Sequence, residues 1–178
     1  MENKFLPGLL FLAGAVAFAA DAHATPTVWD GPLITFFKPG FTDWTLEDNQ
    51  DRITDAVWLT RAGTEGIFNI RTEPFYTHNE SPSDTEWAFG TTAEYDSLLY
   101  QPWEVWCANR PVDLPNKDAV LHLISEDIYI DIKFTTWGRA PSGGSFSYVR
   151  STIPEPGSTA LLGIGGLLCF RRRRAFLS

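Results

Sequence analysis

The chain has 178 residues, the size of one ordinary domain, and its seven Trp, thirteen Phe and five Tyr supply ample material for a core. Its formal charge is −8, and setting aside the −1 of residues 1–24 and the +4 of Arg171 to Arg174 leaves −11 on the remainder. So acidic a body argues against a nucleic-acid partner, because binding phosphates needs Lys and Arg to displace counterions, and two cysteines, Cys107 and Cys169, rule out a disulfide framework.

The chain opens with Glu2 and Lys4, continues through an apolar or small-residue run from Phe5 to Ala20, and reaches Asp21-Ala22-His23-Ala24. A charged start, an apolar middle and an Ala-x-Ala end are the parts of a secretory signal. The predicted cleavage follows Ala24, with Ala22 and Ala24 as the small residues signal peptidase requires. Residues 1–24 are thus a leader, and the body begins at residue 25.

Within the body, short apolar runs alternate with turn residues. Val28-Trp29 precedes the turn signal Asp30-Gly31-Pro32, and Leu33 to Phe37 reads as a strand closed by Lys38-Pro39-Gly40. Thr45-Leu-Glu-Asp48 has the spacing of a capping box opening a short helical turn. Ala56 to Thr60 and Gly66 to Ile70 are strand-like, Glu73 to Asp84 is a polar, Pro-containing loop, and Glu86 to Phe89 and Ser97 to Tyr100 are short apolar pieces. Trp103 to Cys107 fits a strand or a helical turn equally, and Cys107 beside Trp106 reads as a small buried apolar residue.

The clearest pattern runs from Ala119 to Trp137. Ala119 to Ile124 is apolar, Ser125-Glu126-Asp127 suggests a hairpin turn, and strict alternation follows. It sets Ile128, Ile130, Ile132 and Phe134 on one face and Asp127, Tyr129, Asp131, Lys133, Thr135 and Trp137 on the other, as in a half-buried strand. Gly138 to Gly144 is a loop, and Ser145 to Arg150 alternates again with Phe146 and Tyr148 on one side. Many short strands without long helical periodicity predict an all-β fold over residues 25–152, an antiparallel β-sandwich or jelly roll.

The closing segment, residues 153–178, is the most specific. Ile153-Pro154-Glu155-Pro156 gives way to the apolar run Ala160 to Phe170, and Arg171, Arg172, Arg173 and Arg174 follow. The prolines enforce an extended, accessible stretch. An apolar run must satisfy its backbone internally in lipid, which predicts a short transmembrane helix. The arginine cluster stops it on the cytoplasmic side, leaving the body outside. The run of about twelve residues reaches roughly 18 Å as a helix, against a hydrocarbon core of about 30 Å, which favours a transient anchor.

These features, in this order, resemble the PEP-CTERM sorting signal of Gram-negative bacteria. The resemblance implies that Pro154, Glu155 and Pro156 are recognised by an exosortase, a membrane-embedded cysteine protease-like enzyme whose genes usually accompany exopolysaccharide production. The bodies of other PEP-CTERM proteins look similar to residues 25–152, without naming a chemistry.

Catalytic signatures are missing. There is no G-x-S-x-G elbow, H-E-x-x-H, C-x-x-C, Walker or dinucleotide-binding loop. His78 sits in a polar loop, and His122 inside an apolar strand reads as a satisfied core or edge residue. Asp127 and Asp131 stand about 13 Å apart along a strand, too far for either glycosidase geometry. Asp48 to Asp51 and Ser81 to Glu86 could offer oxygens to calcium, the one cofactor to consider, but match no EF-hand. No catalytic residue and no metal ligand is assigned.

The sequence therefore predicts a non-enzymatic exported protein. It passes signal peptidase, the inner membrane and exosortase, and ends in the cell envelope or extracellular matrix. One alternative is a carbohydrate-binding module for exopolysaccharide, using Tyr129, Asp131 and Trp137 as an exposed ligand face. The other is a hydrolase with an unrecognised site, which clustering of Asp127, Asp131, Glu86 or His78 in one deep cleft would favour and dispersal would count against.

Overall fold

The computed structural model describes residues 25–154. The segment expected to be a leader, with Ala22 and Ala24, and the tail from Glu155 with Pro156 and Arg171 to Arg174, lie outside the described residues. The strands are β1 (Thr27–Trp29), β2 (Ile34–Lys38), β3 (Asp51–Arg52), β4 (Trp58–Arg61), β5 (Ile67–Asn69), β6 (Thr85–Phe89), β7 (Ala119–Leu123), β8 (Ile128–Trp137) and β9 (Phe146–Arg150). One helical turn, α1 (Trp103–Trp106), and a few 3-10 turns complete the described residues. The body is thus mostly β, with almost wholly antiparallel pairing. Among the described residues no helix is long and apolar enough to cross a membrane.

Strand β8 organises the larger sheet, whose order is β2-β9-β8-β7-β6. One side of β8 pairs with β7 through the hairpin expected at Ser125 to Asp127. The other side is shared: β1 pairs in parallel with Ile128–Ile130, and β9 pairs antiparallel from Ile132 to Trp137. The smaller sheet is β3-β4-β5. Both sheets feed one core. Val57, Leu59 and Ile67 of the small sheet and its flanks meet Leu121, Leu123, Ile130, Ile132, Phe134, Phe146 and Tyr148 of the large one. Helix α1 adds Trp103 and Trp106, whose rings lie 5.0 and 5.4 Å from that of Trp87.

Two arginines tie the sheets together. Arg150 of β9 donates from Nε and Nη2 to the two carboxylate oxygens of Asp51 in β3, at 2.7 and 2.8 Å, and the Tyr148 hydroxyl donates to the same carboxylate at 2.7 Å. All three residues are buried. In the opposite sense, Arg61 of β4 donates to the carbonyls of Gly138 and Ser145, both at 2.9 Å, and to Glu65 at 2.6 Å. Its guanidinium lies 4.0 Å from the centre of the Trp137 ring.

Two expectations change. The turn near Thr45 exists as a 3-10 turn at Glu47–Asn49, but Leu46 occupies the cap position without a side-chain bond, and the Thr45 hydroxyl bonds Asp43 instead. There is no capping box, because Asp43 already offers its carboxylate two residues away. The alternation along β8 also fails past Phe134. A bulge leaves Thr135 unpaired, so Thr136 opposes Ser147 and Trp137 opposes Phe146. That extra residue turns Trp137 onto the core side, with its ring 6.0 Å from those of Phe134 and Phe146.

Removing one member of a buried ion pair strands the other charge. Asp51→Ala is expected to cost about 3–5 kcal/mol of unfolding free energy, measured by urea titration followed by tryptophan fluorescence. A loss under about 1 kcal/mol would show that Arg150 finds water and that the pair does not hold the sheets.

Candidate functional site

Three places gather chemically capable side chains. The first is the outer face of the large sheet. Tyr129 stacks on His122 with ring centroids 4.2 Å apart and planes 4° from parallel, and Tyr95 and Tyr100 close over it at 4.6 and 5.8 Å. Asp131 accepts both the backbone N–H and the hydroxyl of Thr92, each at 2.8 Å. These contacts fold the segment from Gly90 to Gln101 back over the sheet, and Gln101 bridges to Trp87 at its edge. Tyr129, Asp131 and Trp137 therefore form no shared ligand face. The first two are half-covered by this segment and engaged with it, and the bulge takes Trp137 to the other side of the sheet.

The second place is His122 itself. Its Nδ1 lies 2.8 Å from Glu86 and its Nε2 3.2 Å from Asp127. With both ring nitrogens engaged by carboxylates, the imidazole has no free atom to act as a base, so it is the satisfied histidine its apolar strand predicted. Strand β7 reads as a continuous apolar run because both faces are covered, by the core on one side and the Gly90–Gln101 segment on the other.

The third is a cleft of about 240 Å³ whose lining includes Arg61, Tyr76, His78, Glu104, Cys107 and Trp137. Glu104, buried on α1, accepts from the Asn79 N–H at 2.9 Å and lies 2.7 Å from His78 Nδ1. This is how a buried carboxylate orients an exposed histidine. Sequence reading missed the pairing, because 26 positions separate its members and Glu104 lies in an aromatic segment of ambiguous period. Cys107 is no activated nucleophile, since burial pushes its thiol upward. Burial also lowers the Arg61 guanidinium to about 10, and its donors are directed at backbone carbonyls.

The hydrolase constellation does not assemble. Glu86 and Asp127 meet at His122, Asp131 is bound to Thr92, and His78 lies in the cleft with Glu104. Two of the carboxylates considered for calcium are engaged elsewhere. Asp51 is held by Arg150, and Asp84 accepts from the Ser125 N–H at 2.8 Å. Among the described residues no three His, Cys, Asp or Glu side chains converge as metal ligands.

The described chain ends where the tail begins. Ser151 N–H donates to the Asp131 carbonyl at 2.9 Å, Gly31 N–H donates to the Thr152 carbonyl at 3.0 Å, and the Thr152 hydroxyl donates to the Pro32 carbonyl at 2.7 Å. A Cβ at Gly31 would collide with the Ile153 carbonyl, so only glycine allows this approach. Pro154 follows, exposed.

Comparison with known families matches residues 152–174 to the PEP-CTERM protein-sorting motif. The chain carries this sorting motif, and with it the exosortase recognition signal. No curated protein and no solved structure matches the chain.

The tyrosines give the fold a pH dependence. Burial raises the hydroxyls of Tyr100 and Tyr148 well above their ordinary value and that of Tyr129 to about 12. Unfolded tyrosines ionise near 10, so above that pH the folded state retains protons the unfolded chain has lost, and stability falls. The thermal midpoint is expected to hold level from about pH 7 to 9 and to drop between about pH 10 and 12, followed by circular dichroism. Tyr148→Phe should flatten that drop, and a midpoint level across the whole range would contradict the burial of these groups.

Proposed function

We propose that this is an exported, non-enzymatic protein whose body is a β-sandwich delivered to the cell envelope or extracellular matrix. Signal peptidase removes residues 1–24, the apolar tail anchors the chain transiently in the inner membrane, and exosortase processes it at Pro154-Glu155-Pro156. The observation that carries this reading is the sorting motif at residues 152–174, which begins at Thr152, the last of the described residues with a hydrogen bond to the body. An address placed directly against the fold can be removed without cutting into either sheet.

The description of the body as a sandwich rests on two sheets sharing one core. The proposal that it is not a catalyst is supported by the dispersal of its carboxylates and histidines into mutually satisfied pairs. It works without a cofactor on this reading. Its partner outside the cell is the exopolysaccharide matrix that the sorting system accompanies, met by surfaces other than a Tyr129–Trp137 platform.

Replacing Pro154, Glu155 and Pro156 together with Ala, in a host that has an exosortase, should leave a longer product retained in the membrane fraction. Mass spectrometry of the mature C-terminus reads the outcome. An unchanged mature C-terminus would refute recognition at this motif.

A further inference from the structure

The edge of the large sheet where the tail departs is unusually apolar for an acidic body. Leu33 is 68% exposed and Ile153 65% exposed, and Ile34 beside them is also exposed. Leu33 and Pro154 line one shallow hollow with Asp30, Gly31 and Pro32. Leu33 also walls an adjoining hollow of about 380 Å³ with Ile132 and Val149. Single exposed apolar residues are ordinary, but a group gathered at one spot marks a contact surface.

The position of this group says what it meets. Thr152 is pinned to Gly31 and Pro32, so the apolar edge cannot swing away from the point where the chain leaves. From Pro154 to Ala160, where the apolar run starts, the chain reaches no more than about 22 Å even when fully extended. Whenever that run lies in a bilayer, the edge is held beside the lipid surface. Tethering at such short range gives a high effective concentration, so even a small apolar contact is made.

We propose that the edge formed by Leu33, Ile34 and Ile153 is a lipid-contacting surface. It seats the body on the bilayer, at the boundary of headgroups and acyl chains, for as long as the tail is anchored. The inference rests on the anchoring reading above. The contact is apolar in kind: Asp30 at the same edge is exposed and acidic, and Lys133 in the adjoining hollow is paired with Asp118 beside Asp131, so no net positive charge draws this edge to anionic lipid, and added salt should not release it. The seat holds Pro154 at the membrane surface, within reach of a membrane-embedded enzyme, and loss of the tail then frees a body whose remaining contact is weak.

The test uses the full chain carrying Cys169→Ser, with a nitroxide label at Leu33→Cys or, for reference, at Leu99→Cys. Leu99 is 76% exposed and lies at the opposite edge of the sheet, beside the Gln101–Trp87 bridge. Both chains are bound to vesicles of phosphatidylcholine and phosphatidylethanolamine. Electron paramagnetic resonance then compares collisions with lipid-soluble oxygen and with a water-soluble nickel chelate. The ratio of oxygen to nickel accessibility should be at least about threefold higher at position 33 than at position 99, at low and high salt alike. Ile153→Cys, on a separate segment of the same edge, should report the same ratio and guards against a local effect of one substitution. Bound chains with equal ratios at all positions would overturn the lipid contact alone, including the case in which a protein rather than lipid covers this edge. Chains that stay in the aqueous phase would overturn the anchoring reading and this inference with it.

Discussion

The buried pair between Asp51 and Arg150 fixes how the small sheet sits on the large one. Strand β3 has two residues and β5 three, and so small a sheet has no stability of its own. It persists because it docks on the large sheet. Apolar contact supplies most of the driving force, but such contact is tolerant of sliding. A two-pronged arginine–carboxylate contact is not, since it has a fixed geometry, and Tyr148 completes the satisfaction of the carboxylate. Arg61 makes the reciprocal connection, from the small sheet to the carbonyls of the large one. The two clamps fix the register of one sheet over the other, and both draw on the residues around β8 and β9.

What could be read from the sequence followed the local period and stopped where distant residues intervened. The alternation of Ile128 to Phe134 and of Phe146 and Tyr148 was legible, because in each strand the large apolar side chains lie on the core face. The bulge at Thr135 was not, since an extra residue leaves no mark in a pattern of hydrophobicity, and it reversed the reading of Trp137. Tyr129 and Asp131 were placed on the correct face, but the Gly90–Gln101 segment that covers them contains no regular strand to signal its path. Asp51 read as one of several loop acids, because its partner Arg150 lies 99 positions away. The pairing of β1 with β8 was equally hidden, being parallel, three residues long and about a hundred positions apart in sequence.

These facts separate where the protein goes from what its body does. The tail is an address that reads independently of the fold, and the match at residues 152–174 agrees with the proline, apolar and arginine order of the sequence. The body has the opposite character: the polar side chains gathered on its sheets and in its cleft are engaged with one another. Glu86 and Asp127 satisfy His122, Asp131 secures Thr92, and Glu104 orients His78. The two parts meet at Thr152, where the motif begins and where, among the described residues, the last hydrogen bonds to the fold are made. That junction also gathers the exposed apolar edge, so the fold and its address converge on one side of the molecule.

The account's central claim is that exosortase reads the tail and releases the body from the membrane. The most direct measurement compares the native chain in two otherwise identical hosts, one with an exosortase and one lacking it, by fractionation and intact-mass analysis. The account predicts that the body leaves the membrane fraction, without its arginine cluster, only where the exosortase is present. The same mass and the same fraction in both hosts would contradict it.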